Sequence, residues 1–216
     1  MDDGRGGDPS QSYTTERIPT REHQTPKAEG GLQSVPPTSF RRMGMWLFLV
    51  SLGILFGATL VGFLVIRMRA ADWPPPGSPT LPGGLWVSSA LLVVLSCALV
   101  LTERAARAGR ETALDRWFSV SILLSVAFLG AQVSNWMRMA AEGVPPAKSL
   151  FVWFFYALTI LHAAHVLFGL VPLVLVTVRA RGGRYTADDH EGVHLVAMYW
   201  HFLLVTWIAI LVVLLI

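Results

Sequence analysis

Residues 149 to 178 read SLFVWFFYALTILHAAHVLFGLVPLVLVTV and contain no Asp, Glu, Lys or Arg. Four further blocks lack these charged residues in the same way, at about 43–66, 85–102, 117–137 and 192–216. Each block is close to the ~20 apolar residues that a helix needs to cross a hydrocarbon core. Because a helix satisfies its own backbone hydrogen bonds where no water is available, the sequence predicts an all-α membrane protein with a five-transmembrane-helix bundle.

The composition also indicates a membrane protein. Of the 216 residues, 53% are apolar and only 14% are charged, whereas an ordinary soluble domain is about 25% charged. The net charge of +3 does not predict nucleic-acid binding, because the basic residues sort by membrane side. The single cysteine, Cys97, lies in an apolar run and is interpreted as a packing residue.

Basic residues between the apolar blocks predict the orientation of the bundle. Nine arginines lie on one side of the predicted spans and four basic residues on the other. The positive-inside rule therefore places the N-terminus in the cytoplasm and the C-terminus outside. The nine are Arg41, Arg42, Arg104, Arg107, Arg110, Arg116, Arg179, Arg181 and Arg184, and the four are Arg67, Arg69, Arg138 and Lys148.

Residues 1–40 differ in kind from the rest of the chain. They combine Gly, Pro, Ser, Thr, Gln and charges of both signs, with almost no periodic apolar pattern. Such a segment buries too little apolar surface to offset the entropy of ordering, so we predict a disordered cytoplasmic tail. It is not expected to be a signal peptide, because the first apolar block starts too far into the chain. The transmembrane domain is predicted to cover residues 41–216.

The first apolar block places Gly53 and Gly57 four residues apart. Small residues at this spacing let two helix backbones approach closely, which predicts a face that packs against another helix. Glycine is also common in membrane helices in general, so the spacing alone leaves open that the two glycines have no such partner.

Polar side chains interrupt the later blocks at helical spacing. An ionisable side chain inside a membrane is costly and indicates a function, and histidine can remain neutral while it both donates and accepts hydrogen bonds. Amides in lipid usually bond across helices. The polar residues singled out on these grounds are Gln132, Tyr156, Thr159, His162, His165, His194, Tyr199, His201 and Trp207.

Ligand binding by these histidines is disfavoured by their positions. A rise of about 1.5 Å per residue puts His162 and His165 roughly 20 to 24 Å from the arginine-flanked helix ends but His201 only about 10 Å, so a shared haem plane is not expected. A di-iron site would need carboxylates, and the five blocks contain none. We therefore predict no catalytic, cofactor-binding or metal-binding residue in this chain and interpret the histidines as hydrogen-bonding groups between helices.

Two motifs near the C-terminus carry a family resemblance. FFYALTILHAAHVLFG at 154–169 and YWHFLLVTW at 199–207 resemble subunit III of the haem-copper cytochrome c oxidases, as do GMWLFLVS at 44–51 and FLGAQVSNW at 128–136. The resemblance extends from about residue 41 to the end, and the chain is similar to the short bacterial form with five spans. It implies that the core contacts of the bundle are His162, His165, Tyr199, Trp200, His201 and Trp207, with Gln132 in the third span.

The resemblance implies a subunit without redox centres. Such a subunit packs against catalytic subunit I, and against subunit II, of a terminal oxidase in the plasma membrane of a bacterial-type cell, where the partners carry haem and copper. It holds phospholipid, stabilises the catalytic subunit and sustains proton uptake in aerobic respiration. Two other interpretations remain: an accessory subunit of a nitric oxide reductase, and a free-standing membrane transporter or enzyme.

Four positions depart from the family pattern. The family has acidic residues where this chain has Leu52, Asn135, His194 and Leu204. The resemblance therefore implies that the helix-packing features remain, whereas what the carboxylates do for proton movement or lipid head groups is not carried over. The sequence alone leaves open which residues, if any, replace these acids.

Overall fold

The computed structural model describes residues 38–143, 145–182 and 191–216. The predicted disordered tail lies outside the described residues, except for its last three, which begin the first helix. The described ranges contain five long helices and a 3₁₀ turn at Pro146–Lys148. The helices are α1 (Thr38–Arg69), α2 (Gly84–Arg107), α3 (Glu111–Ala141), α4 (Leu150–Arg181) and α5 (Glu191–Leu215).

All five helices are long and apolar enough to cross a membrane, which confirms the predicted fold class. Most of them run past the charge-free blocks that predicted them. For example, α4 continues beyond Val178 to Arg181, and α1 continues to Arg69. Charged residues are compatible with helix termini because a long side chain there can extend its charged group into water.

Local sequence accounts for several helix boundaries. The Ser149 hydroxyl accepts a hydrogen bond from the Val152 backbone N–H at 3.4 Å and caps the start of α4. The short turn between α2 and α3 needs Gly109, whose φ of 62° is a conformation that side chains disfavour. Pro172 lies inside α4 without ending it, as is tolerated in membrane helices whose neighbours satisfy the freed carbonyl.

Four of the helices form a closed ring. Helices α2 and α4 each pack against both α3 and α5, so that α2, α3, α4 and α5 surround a common core, termed here the four-helix ring. Helix α1 lies outside this ring and packs on α5. It reaches α4 through aromatic contacts, with ring centroids 5.0 Å apart for both Phe56–His165 and Phe63–Phe154. Helix α5 therefore contacts α1 and two members of the ring.

Contacts between helix termini define the two ends of the bundle. The starts of α1, α3 and α5 lie with the ends of α2 and α4, at what is termed here the Arg-rich end. The opposite end carries the Pro-rich loop between α1 and α2 and is termed the loop end. Between the ends, large apolar side chains such as Ile54 and Leu123 point outward, 67% and 69% exposed. Outward-facing apolar side chains of this kind are compatible with contact to the lipid acyl chains of a membrane.

Candidate functional site

Ion pairs connect the helices at the Arg-rich end. Arg42 of α1 donates from Nε and Nη2 to the two carboxylate oxygens of Glu191 of α5, at 2.6 and 2.8 Å. Arg181 of α4 donates to Asp115 of α3 and to the Ser119 hydroxyl. Both arginine side chains are more than half exposed, so solvent screening leaves each pair with little effect on stability. The bidentate geometry at Arg42 fixes the position of α1 relative to α5.

His194 lies against a carboxylate of another helix. Its Nδ1 is 2.8 Å from Oε1 of Glu103 of α2, and the same oxygen accepts a hydrogen bond from Arg107, one turn further along α2. The Glu103 side chain is only 16% exposed. His194 stands where the resembling family has an acid, and the structure places an acid beside it, on α2 instead of α5.

The other three departures from the family pattern are uncharged and packed. Asn135 is buried and donates to the Ser88 hydroxyl of α2 at 3.2 Å. Leu52 is 5% exposed in the core, and Leu204 is half-buried against it. These positions contribute to helix packing within the described part of the chain.

Two hydrogen bonds cross from α5 to α2 inside the bundle. His201 Nδ1 is 2.6 Å from the Ser96 hydroxyl, and Trp207 Nε1 donates to the Ser89 hydroxyl at 2.9 Å. His201 and Trp207 thus each contact a serine of the neighbouring helix α2. A hydrogen bond of this kind between membrane helices contributes about 0.6 kcal/mol on average.

Helix α4 is bonded to α3 and α5 in the same way. Trp136 Nε1 of α3 donates to the Thr159 hydroxyl at 3.0 Å, and the Tyr156 hydroxyl donates back to the Trp136 carbonyl at 3.1 Å. The Tyr199 hydroxyl of α5 donates to the His165 carbonyl at 2.7 Å. In the four-helix ring, each pair of neighbouring helices is therefore joined by at least one hydrogen bond that involves a side chain.

Three of the singled-out residues are buried without a complete set of hydrogen bonds. Both ring nitrogens of His162, Nε2 of Gln132 and Nε1 of Trp200 have no partner among the described residues. His162 instead contacts aromatic rings of three other helices, Phe56, Phe128 and Trp207, with centroids 6.2, 5.8 and 5.1 Å away. His162 and His165, three residues apart, both contact the Phe56 ring, but they share no hydrogen-bond partner among the described residues.

Glycines allow close approach at two helix interfaces that the sequence did not single out. A Cβ on Gly169 of α4 would overlap the ring of Tyr199 and approach that of Trp200, and a Cβ on Gly84 of α2 would overlap the Asn135 amide. Gly169 belongs to the quoted HAAHVLFG motif, but no spacing rule identifies which ring faces it. The bulky residues of α5 therefore fit α4 only because position 169 has no side chain.

The predicted glycine pair on α1 has a different environment. A Cβ on Gly53 would stand 3.7 Å from the Phe202 ring of α5, whereas a Cβ on Gly57 would meet no described heavy atom within 4 Å. The close helix-to-helix approach that the spacing predicts therefore does not occur at Gly57 within the described residues. The space next to the Gly57 backbone is therefore available to a neighbouring molecule in the membrane.

An apolar groove of about 690 Å³ runs between α1 and α5. Most of its walls are aliphatic and aromatic, and its polar side chains lie toward the Arg-rich end. The lining residues are Arg42, Trp46, Leu49, Val50, Gly53, His194, Met198, His201, Phe202 and Val205.

Sequence reasoning missed the partners on α2. Ser89, Ser96 and Glu103 each bond a singled-out residue of α5, yet none interrupts an apolar pattern as visibly as a histidine or tryptophan does. Glu103 lies just beyond the charge-free block and reads as an ordinary helix-terminal charge. Only the packing of α2 on α5 identifies these three.

We expect the contact between Glu103 and His194 to tolerate exchange of its members. Glu103→Leu or His194→Leu alone should lower stability by about 1 to 3 kcal/mol, because a partly buried charge-assisted hydrogen bond is lost. Glu103→His combined with His194→Glu should recover most of the loss, since it restores an imidazole–carboxylate pair across the same interface. The midpoint of thermal unfolding of the full chain in detergent measures both effects.

The matched control is Arg107→Leu, which leaves the pair in place and removes only a 60% exposed partner of Glu103. This variant should change the midpoint little. If the exchanged double variant unfolds as early as the sum of the two single variants predicts, the contact has no stabilising role.

Comparison with known proteins agrees with this architecture. The family model described as cytochrome c oxidase subunit III matches residues 29–216. The chain is 32% identical over 177 residues to cytochrome c oxidase subunit 3 of Synechocystis sp., covering 80% of this chain and 73% of that protein. It is 28% identical over 170 residues to the subunit of the same name from Thermostichus vulcanus, covering 78% and 83%.

A quinol oxidase subunit matches at a similar level. Cytochrome bo(3) ubiquinol oxidase subunit 3 of Pseudomonas aeruginosa is 28% identical over 167 residues, which cover 77% of this chain and 80% of that protein. The family match extends over all the described helices. With its five membrane-spanning helices and these matches, the chain belongs to the cytochrome c oxidase subunit III family.

Proposed function

We propose that this chain is a non-redox subunit of a haem-copper terminal oxidase that stabilises the catalytic subunit. The observation that supports this role is the use of the bundle's polar side chains. His201, Trp207 and Tyr199, which would be the natural candidates for a site on α5, each bond a neighbouring helix. Side chains used in this way hold a rigid surface for a partner instead of performing a reaction.

The partners in this proposal are the catalytic subunit I and subunit II, which carry haem and copper. The complex lies in the plasma membrane of a bacterial-type cell, with the Arg-rich end in the cytoplasm as the distribution of arginines favours. Helix α1 supplies part of the contact surface. It is the helix outside the four-helix ring, and Gly57 on it offers a backbone approach that no described residue uses.

The α1–α5 groove is our proposed site for a phospholipid acyl chain. Its volume of about 690 Å³ is in the range of small-molecule sites, and its walls match hydrocarbon. At the Arg-rich end, Arg42 is already paired with Glu191, so the groove is expected to favour a zwitterionic over an anionic head group.

Glu103 and His194 support a part in proton uptake. A carboxylate and an imidazole in contact are side chains that commonly transfer protons in proteins, and these two lie at the end proposed to face the cytoplasm. His194 also lines the groove. The pair would take over, from α2, the carboxylate that the family pattern has on α5.

Either cytochrome c or a quinol could be the electron donor of the complex, because the relatives include both cytochrome c oxidase and ubiquinol oxidase subunits at 28% identity. The donor is expected to be selected by the partner subunits, since in this proposal the chain carries no redox centre. An oxygen-consumption assay of the purified complex with each donor separates the two classes.

Affinity purification of the tagged full-length chain in a mild detergent tests the proposal. Recovery of haem absorption together with copper-bearing partner subunits is the expected result. A chain that purifies alone and without pigment would contradict it, and partners with nitric oxide reductase activity in place of oxidase activity would identify the rival complex.

Lipid binding is tested on the same preparation by native mass spectrometry. Gly53→Leu adds a side chain in the groove beside Phe202 and should reduce the bound phospholipid. Gly44→Leu is the matched control, since a Cβ there meets no described atom within 4 Å and Gly44 does not line the groove. Equal lipid content in both variants would remove the groove as the site.

A further inference from the structure

We propose that Gln132 of α3 and His162 of α4 hold a buried water molecule between them in the core of the four-helix ring. Both side chains are 0% exposed. Neither ring nitrogen of His162 nor the amide nitrogen of Gln132 has a hydrogen-bond partner among the described residues.

The register of α3 against α4 brings the two residues to the same level. Phe128 contacts the His162 ring, and Trp136 donates to Thr159. Gln132 lies one turn from both Phe128 and Trp136 on the same face of α3. It therefore faces the turn of α4 that carries Thr159 and His162. The offset between them along the helix axis is at most about one helical pitch, 5.4 Å.

The neighbouring groups cannot complete the hydrogen bonding. Phe56 and Phe128, which flank His162, carry no polar side-chain atom, and the Trp207 N–H is already donated to Ser89. The amide of Asn135 donates to Ser88 and, at 3.4 Å, to the oxygen of Gln132. These neighbours are thus either apolar or already hydrogen-bonded, whereas Gln132 Nε2 and both ring nitrogens of His162 have no partner among the described residues.

Leaving such groups unpaired is costly, and lipid cannot supply a partner. A buried polar group without a hydrogen bond costs about 1–3 kcal/mol, and the hydrocarbon around a membrane bundle contains no donor or acceptor. Buried waters occupy sites of this kind and make about three hydrogen bonds each. One water can accept from the Gln132 amide and donate to the unprotonated nitrogen of a neutral His162.

The first test is a high-resolution cryo-electron microscopy map of the purified complex that contains the unmodified full-length chain. We expect a density peak within hydrogen-bond distance of both the Gln132 amide nitrogen and a His162 ring nitrogen. A direct hydrogen bond between the two side chains, or a map without density between them, would overturn the proposal.

A double-mutant cycle is the second test, with Gln132→Leu, His162→Phe and the two combined. Each single change should lower the folded-to-unfolded ratio of the full chain about tenfold, because it removes one partner of the water. The double variant should be at least as stable as the less stable of the two single variants, since neither polar side chain remains without its partner. Additive losses, about a hundredfold in total, would mean that the residues do not share a partner.

The matched control for additivity is Gln132→Leu combined with Thr177→Val. Thr177 is also a buried polar residue of α4, and its hydroxyl donates to the Leu173 carbonyl of the same helix. It lies about four turns from His162 along α4. The two losses in this control should multiply, so that a failure to multiply for Gln132 and His162 reports a specific link between them.

Discussion

Trp207→Ala is expected to lower the stability of the bundle by about 3–5 kcal/mol, the range for truncating a buried aromatic side chain. Trp207 is 1% exposed, and its ring contacts Phe128 and His162 at centroid distances of 5.4 and 5.1 Å. Lipid weakens the hydrophobic contribution, but the lost packing contacts remain a cost because helix association in a membrane depends on them. Denaturation of the full chain in mixed micelles with increasing SDS gives the change in free energy.

Two control variants separate the components of this effect. Ser89→Ala removes the hydroxyl that accepts from Trp207 Nε1 and donates to the Leu85 carbonyl of its own helix. The loss of the bond between the helices should cost about 0.6 kcal/mol. Trp86→Ala truncates a tryptophan that is 62% exposed and should cost far less than Trp207→Ala. Similar losses for Trp86→Ala and Trp207→Ala would show that Trp207 is not part of a packed core.

Gly169→Ala is expected to destabilise the α4–α5 interface by about 1–3 kcal/mol, as overpacking of a closely packed site does. The new Cβ would overlap the Tyr199 ring. That ring cannot move away freely, because its hydroxyl donates to the His165 carbonyl at 2.7 Å and it stacks on the Phe48 ring with a centroid separation of 6.0 Å. The same SDS denaturation assay measures the loss.

Gly130→Ala serves as the matched control for Gly169→Ala. Both glycines lie inside long helices, but a Cβ on Gly130 would meet no described atom within 4 Å. Since alanine is the better helix former, Gly130→Ala should be neutral or stabilising. If Gly169→Ala is also neutral, Tyr199 and Trp200 do not pack against α4 as closely as described.

Prediction from the sequence worked best where a single physical requirement decides the outcome. The charge-free blocks predicted the number and type of the helices because a backbone in hydrocarbon must bond within itself. Polar side chains such as His201 and Trp207 could be singled out because a polar group in an apolar block stands out. Their roles as contacts between helices stay a prediction until the variants are measured.

The other half of each contact was not visible in the sequence. Ser96 and Ser89 belong to the second apolar block, in which no polar residue was singled out, and their choice as partners depends on how α2 is rotated against α5. Glu103 shows the same limit more clearly. The absence of an acid at position 194 was readable from the family pattern, but the acid that lies against His194 is 91 residues away in the chain.

The sequence by itself determined that this is a bundle of apolar helices of the cytochrome c oxidase subunit III family, and which polar residues interrupt those helices. Only the tertiary structure decided which helices form the ring, that α1 lies outside it, and that His162 is buried without hydrogen-bond partners among the described residues. The physical reason is that burial in lipid depends on local composition, which a sequence displays. Pairing depends on the rotation and offset of helices, which are set by many weak packing contacts at once.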